Sequence, residues 1–149
     1  MKKKTIQILA FVVLIGGLTT MTSCEKEYEK YDNKEVIENT YSGTIELEGV
    51  IEARGDFFGD GDSGTFSFVW ENTKKKATVN FDVTTTAGGS VQIILNDAKG
   101  KKVFNKTRPE GGNDTFSGLS EEGKEGKWLV TIKLTNIDGD GTYDITPAN

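Results

Sequence analysis

The chain has 149 residues, no histidine and a single cysteine, Cys24. Without an imidazole, Ser-His-Asp and Cys-His arrangements are excluded, and so is a histidine zinc site; one thiol makes neither a disulfide nor a four-cysteine zinc site. Long apolar runs are scarce, and a permanent transmembrane helix is the weaker reading of the one near the start. The run from Ile6 to Leu18 would extend about 20 Å as a helix, against a hydrocarbon core of about 30 Å. The remainder lacks a sustained 3.6-residue apolar period, so helix is at most a minor element. Cationic faces are missing as well. Lys74-Lys75-Lys76 and Lys99 with Lys101-Lys102 flank predicted turns and read as solvated hairpin ends that discourage edge aggregation, and nucleic acid is not an expected partner.

What is present begins with a leader. Lys2, Lys3 and Lys4, the apolar run and a short stretch of small or polar residues ending at Cys24 are ordered as in a secretory signal. Met21-Thr22-Ser23-Cys24 resembles the lipobox of bacterial lipoproteins, with a hydrophobic residue three before the cysteine and a small one just before it; Met21 stands where leucine is usual and Ser23 where glycine or alanine is. The resemblance implies that Cys24 becomes the mature N-terminus and carries a thioether-linked diacylglycerol, usually with a further acyl group on its amine. Two or three chains suffice for stable anchoring, since each buried methylene contributes about 0.8 kcal/mol. The alternative is a free or buried thiol in an ordinary secreted protein.

The following stretch, Glu25-Lys26-Glu27-Tyr28-Glu29-Lys30-Tyr31-Asp32, resembles the Cys-x-Lys-acidic export signal of Bacteroidetes-type surface lipoproteins. That likeness implies the outer face of the outer membrane, with the periplasmic face as the alternative; read as plain sequence, the stretch is a solvated tether. The expected organisation is therefore a signal peptide over 1–23, a lipidated N-terminus and charged tether over 24–39, and one domain over 40–149. Of the 18 basic side chains three lie in the leader, which leaves 15 against 23 acids and a formal charge of −8. Such a balance suits solubility and loose attraction of cations.

Strict alternation recurs through this domain. It predicts strands over 44–48, 64–70, 77–84, 91–95, 128–135 and 143–145, with shorter ones over 102–105 and 115–119. Asn72-Thr73-Lys74, Ala87-Gly88-Gly89, Asp97 to Gly100 and Asp138 to Gly141 read as hairpin links, and Gly55–Ser63 and Thr107–Asp114 as longer loops. About eight short strands at about ten-residue spacing predict an all-β fold, an antiparallel β-sandwich of immunoglobulin-like or jelly-roll-like type. Its core is expected from Phe66, Phe68, Trp70, Phe81, Trp128 and Tyr143. The segments Gly126 to Ile132 and Gly141 to Ile145 resemble the closing strands of pre-peptidase C-terminal domains. That resemblance implies an accessory or adhesive module without a catalytic motif.

Paired carboxylates remain open as a route to catalysis, and Glu46, Glu48 and Asp82 occupy outward positions of alternating segments, where solvent exposure is the plain reading. Two acidic glycine stretches, Gly59 to Gly64 with Asp60 and Asp62, and Asp138 to Gly141 with Asp138 and Asp140, have the oxygens and tight backbone that calcium asks for. Counted from Asp60, Glu71 falls at the twelfth position of an EF-hand, but Thr65 stands where that loop needs glycine; the alternative is plain turn chemistry. Phe57 and Phe58, beside Asp56, Asp60 and Asp62, form a candidate sugar-stacking site. The alternative puts one ring in the core and the other over a strand edge. A polar strand face of Asn80, Asp82, Thr84, Gln92, Thr131 and Lys133 is a second candidate surface. No cofactor other than calcium is indicated. The expected function is a lipid-anchored, non-enzymatic module that binds an extracellular glycan or a partner protein on the envelope; the competing expectation is a structural envelope protein packed against a larger outer-membrane complex.

Overall fold

The computed structural model describes residues 34–85, 88–108 and 114–149. The predicted leader, Cys24, the charged stretch to Asp32, Ala87 and residues 109–113 lie outside the described residues. Those residues form eight strands and no helix: β1 (Lys34–Asn39), β2 (Thr44–Ile45), β3 (Ala53–Asn72), β4 (Lys76–Thr85), β5 (Ser90–Asn96), β6 (Lys102–Arg108), β7 (Asp114–Leu119) and β8 (Gly126–Ala148). Every pairing is antiparallel.

Two long strands organise the molecule. β3 and β8 pair from Ala53↔Ile145 to Asn72↔Gly126. The first half of β3 and the second half of β8 belong to a layer ordered β2–β3–β8–β4–β7, and the other halves to a layer ordered β1–β3–β8–β5–β6. The layers lie face to face because both strands bend. Phe68 pairs with Val130, and Tyr143 is thirteen residues further along β8, about 43 Å away in a straight strand. The Phe68 and Tyr143 rings are nevertheless 6.5 Å apart, and Trp70 Nε1, near the end of β3, donates 2.8 Å to the carbonyl of Ile51, which precedes that strand. The result is an all-β antiparallel sandwich, as the alternation predicts.

The bend corrects two readings of the sequence. Gly55–Ser63 is not a loop and Asp138–Gly141 is not a hairpin link; both lie within β3 and β8 and pair with one another, Gly59 opposite Gly139 and Asp60 opposite Asp138. Their Asp and Gly residues make a corner instead of a turn. The register slips between Asp60 and Asp62 and again between Asp62 and Gly64, and Asn136 takes a positive φ of 47°. The Asn136 N–H donates to Ser63 Oγ at 2.8 Å, which ties the two strands together at this point. Such bulges bend a strand sharply without ending its pairing. A Cβ on Gly64, whose φ is 152°, would strike the backbone of Thr40 and Tyr41.

The connections differ from expectation too. The links after Asn72 and at Gly88-Gly89 carry the chain from one layer to the other, since β4 pairs with β7 and β8 and β5 with β6 and β8. The link over Asp97–Gly100 is a hairpin, joining β5 to β6. Asp97, 6% exposed, holds that turn: its Oδ1 accepts the N–H groups of Lys99 (2.9 Å) and Lys101 (2.8 Å), and its Oδ2 that of Lys124 (2.7 Å). Lys34–Asn39, read in the sequence as the end of the tether, forms β1 on the edge of the second layer.

All six expected core aromatics are buried. Trp70 and Trp128 face each other across β3 and β8 in a T-shaped contact at 6.2 Å, a favoured geometry for paired rings. Ala77, Val79, Phe81 and Val83 of β4 meet Val91, Ile93 and Leu95 of β5 in one apolar cluster.

Candidate functional site

In the first layer, period-two alternation turns one side chain in two away from the core. On β3, Phe57 and Gly59 are buried while Arg54, Asp56, Phe58 and Asp60 are exposed. On β8, Gly141, Tyr143 and Ile145 point inward and Asp138, Asp140, Thr142 and Asp144 outward; on β4, Thr78, Asn80, Asp82 and Thr84 share that outer face.

Strand register then places these side chains in rows. One row runs Phe58, Asp140, Thr84; the next Asp56, Thr142, Asp82; the third Arg54, Asp144, Asn80. Glu46 and Glu48 extend the face, their N–H groups donating to the carbonyls of Asp56 (2.9 Å) and Arg54 (2.7 Å). Two shallow depressions adjoin here. One of about 310 Å³ is lined by Asp56, Asp82, Thr84, Asp140, Gly141 and Thr142. The other, of about 280 Å³, takes in Glu46, Glu48, Arg54 and Asp144 and shares Asp56 and Thr142. Arg54 lies 3.7 Å from Glu52.

Phe57 and Phe58 are separated by this alternation. Phe57 is 2% exposed and Phe58 57%. The Phe57 ring lies against Gly141, directly opposite it, where a Cβ would collide with the ring. Its placement on the inner face takes Phe57 out of reach of any ligand, a correction to the predicted stacking pair. Phe58 stands alone on the outer face with Asp140 beside it, and its backbone is fixed by a 3.0 Å hydrogen bond from the Tyr41 hydroxyl to its carbonyl.

The acidic glycine stretches converge at the corner, but not as a calcium loop. Asp62 folds back on its own strand and accepts the Ser42 hydroxyl at 2.6 Å and the Asp60 N–H at 2.8 Å. Those two donors hold its carboxyl below the usual range. Burial, with Asp62 adding to it, pushes the Tyr41 hydroxyl up to about 12. Glu71 is at the far end of β3, in the other layer and opposite Lys127, so the residues from Asp60 to Glu71 are extended strand and not an EF-hand. Among the described residues no three carboxylates stand close enough together to hold a metal ion.

Two further groups underlie the face. The Tyr143 hydroxyl donates to the Glu46 carbonyl; burial, then Asp56, Glu46 and Glu48, raise it well above the ordinary tyrosine value. Burial, then Glu52, pushes the Asp144 carboxyl up, and Arg54 opposes the shift. The predicted polar face divides between the layers. Asn80, Asp82 and Thr84 belong to the first, whereas Gln92, Thr131 and Lys133 lie on the outer side of the second. Thr142 and the part Asp140 plays beside Phe58 carry no signal in the sequence, because only the pairing of β3 with β8 brings them to Asp56 and Phe58.

No protein-family model and no curated protein sequence matches the chain. Solved structures similar to it include a family 61 carbohydrate-binding module in complex with β-1,4-galactotriose, at 14% identity and a TM-score of 0.46 over 79% of this chain and 90% of that one. A xylan-binding domain from Paenibacillus barcinonensis is similar at 10% identity and a TM-score of 0.41, over 78% of this chain and 88% of that one. An arabinose-bound α-L-arabinofuranosidase is similar at 10% identity and 0.42, over 80% of this chain and 24% of that one. The sugars are ligands of those proteins.

Proposed function

We propose that the chain is a non-catalytic module that binds an extracellular glycan on the outer face of the first layer, held at the outer membrane by lipid on Cys24 and displayed at the cell surface. The observation that carries the glycan reading is Phe58, a ring 57% exposed on a rigid strand amid carboxylates and hydroxyls. A pyranose offers one apolar C–H face and a rim of hydroxyls. The ring takes the first, and Asp56, Asp140, Thr84 and Thr142 are placed to accept from and donate to the second. The excess of carboxylates favours neutral sugars and amino sugars over uronates.

The non-catalytic reading is supported by the lack of histidine and by carboxylates that stand on an open sheet face, not opposed across a cleft with room for a scissile bond. A glycan array probed with the protein tests the proposal. Binding to a neutral or amino-sugar glycan that disappears in Phe58→Ala at unchanged melting temperature is the expected result, and an array without hits contradicts it. Cys24→Ser should move the protein from the membrane to the soluble fraction; retention in the membrane contradicts the lipid anchor.

A further inference from the structure

Among the described residues the second layer ends in two edge strands of opposite character. Among those same residues β1 pairs with β3 alone and β6 with β5 alone, so each turns a row of backbone N–H and C=O groups away from the sheet. On β1, Glu35, Val36, Ile37 and Glu38 are all exposed, Val36 at 52% and Ile37 at 55%. β6 carries Lys102 and Lys106. Between it and β7, the edge of the first layer, runs a groove of about 310 Å³ lined by Lys102, Phe104, Lys106, Phe116, Leu119 and Glu121. Glu121 is matched by Lys101 at 3.3 Å, which leaves the groove with the charge of its two lysines. Lys106 Nζ sits 5.5 Å from the Phe116 ring centre. The β6 edge already accepts an incoming main chain, for the Glu121 N–H donates 2.9 Å to the Val103 carbonyl.

We propose that these edges join copies of the protein head to tail, with β1 of one molecule adding to β6 of the next and resting its apolar side chains in the β6/β7 groove. Charge decides which edges meet. Pairing β1 with β1 sets glutamate against glutamate and β6 with β6 sets lysine against lysine, and like charges directly opposed destabilise a strand pair. The unlike pair brings Glu35 and Glu38 to the same outer face as Lys102, and Val36 to the inner face beside Phe104 and Lys106. It also covers Val36, Ile37 and Leu119, three of the six exposed large apolar side chains among the described residues. Lysines on an edge turn away most strands, and an acidic strand is the kind they admit. Alternation through β1–β3–β8–β5–β6 makes β1 and β6 run in the same direction, so a neighbour displaced along the sheet forms a parallel pair. Such a contact uses different surfaces on the two partners and does not close as a two-fold dimer; it extends as a row.

Two measurements on the full chain carrying Cys24→Ser test this. In the first, Val36→Cys and Lys106→Cys variants, whose positions lie on the same face of the sheet, are oxidised separately and as a mixture. A disulfide-linked dimer in the mixture and in neither variant alone is expected; no link in the mixture, or a dimer from one variant alone, overturns the proposal. In the second, sedimentation velocity follows association with rising protein concentration. Glu35→Lys with Glu38→Lys should weaken it on the order of tenfold, and mixing with Lys102→Glu, Lys106→Glu protein should restore it, all variants keeping the parent melting temperature. Monomer at every concentration, or association indifferent to the charge reversal, overturns the proposal.

Discussion

β3 and β8 each present two different chemistries to solvent, one on either side of their shared corner. Before it, β3 turns out Arg54, Asp56 and Phe58 beside Asp140, Thr142 and Asp144 of β8; beyond it, the same strands turn out Thr65 and Val69 beside Leu129, Thr131 and Lys133. Their inner faces are alike, apolar and buried in both layers. A sandwich needs the inner faces only, so the fold does not account for rows of acids around an exposed ring on one outer face and mixed charges without an exposed ring on the other. The acids are also spaced. Asp56 is opposite Thr142, Asp140 opposite Phe58 and Asp144 opposite Arg54, whereas Asp60 and Asp138 at the corner do face one another. Like charges placed directly opposite cost stability, and this staggering lets the first layer display carboxylates at small cost.

The contrast between inner and outer side chains is sharpest at two neighbours. Phe57→Ala should lower unfolding free energy by about 3–5 kcal/mol, as for a buried ring lost from a core, while Phe58→Ala should change it by less than about 0.5 kcal/mol. Denaturant titration of the pair checks this, and equal losses would erase the distinction.

A second contrast separates a carboxylate used by the fold from those on display. Asp97→Ala strands three backbone donors and should cost about 2 kcal/mol at neutral pH. Burial pushes the Asp97 carboxyl up, but the N–H groups of Lys124, Lys101 and Lys99 outweigh it and hold the group below its ordinary value. A depressed folded-state value means the stabilisation is present above the unfolded value of about 3.9 and is lost as pH falls through the folded one. The gap between parent and Asp97→Ala should therefore close in acid, and a gap that stays constant from neutral pH to strong acid would show that the charge is irrelevant.

The smallest effect belongs to the display set. Asp82→Asn with Asp140→Asn should shift stability by no more than about 0.5 kcal/mol, upward at low salt and vanishing as salt screens the face. A large loss in thermal melts would make those two acids structural.

Much of the fold was legible from alternation, because burial of one strand face imposes a period of two whatever the partner strand is; Phe66, Phe68, Trp70, Phe81, Trp128 and Tyr143 all lie where that period puts them. The corner was not. Gly59 to Gly64 and Asp138 to Gly141 carry the residues of a turn, and only their pairing with each other, across a separation of almost 80 residues, keeps them in strands. The same long-range register hid the site. Phe58 was visible as an aromatic beside acids, but its separation from Phe57 follows from Gly55–Ser63 being strand, and Thr142 joins it only through β8. β1 falls within the predicted tether, which extends the charge-dense stretch Glu25 to Asp32 as far as Asn39, although the adjacent β-branched pair Val36-Ile37 carries a strand signal.

The central claim is that the acidic, phenylalanine-bearing outer face of the first layer binds sugar and the outer face of the second does not. Calorimetric titration with the best oligosaccharide from the array compares it most directly in the parent, Phe58→Ala and Thr131→Ala. The account predicts at least about a tenfold loss of affinity for Phe58→Ala and none for Thr131→Ala; undiminished binding by Phe58→Ala, or a loss confined to Thr131→Ala, would contradict it.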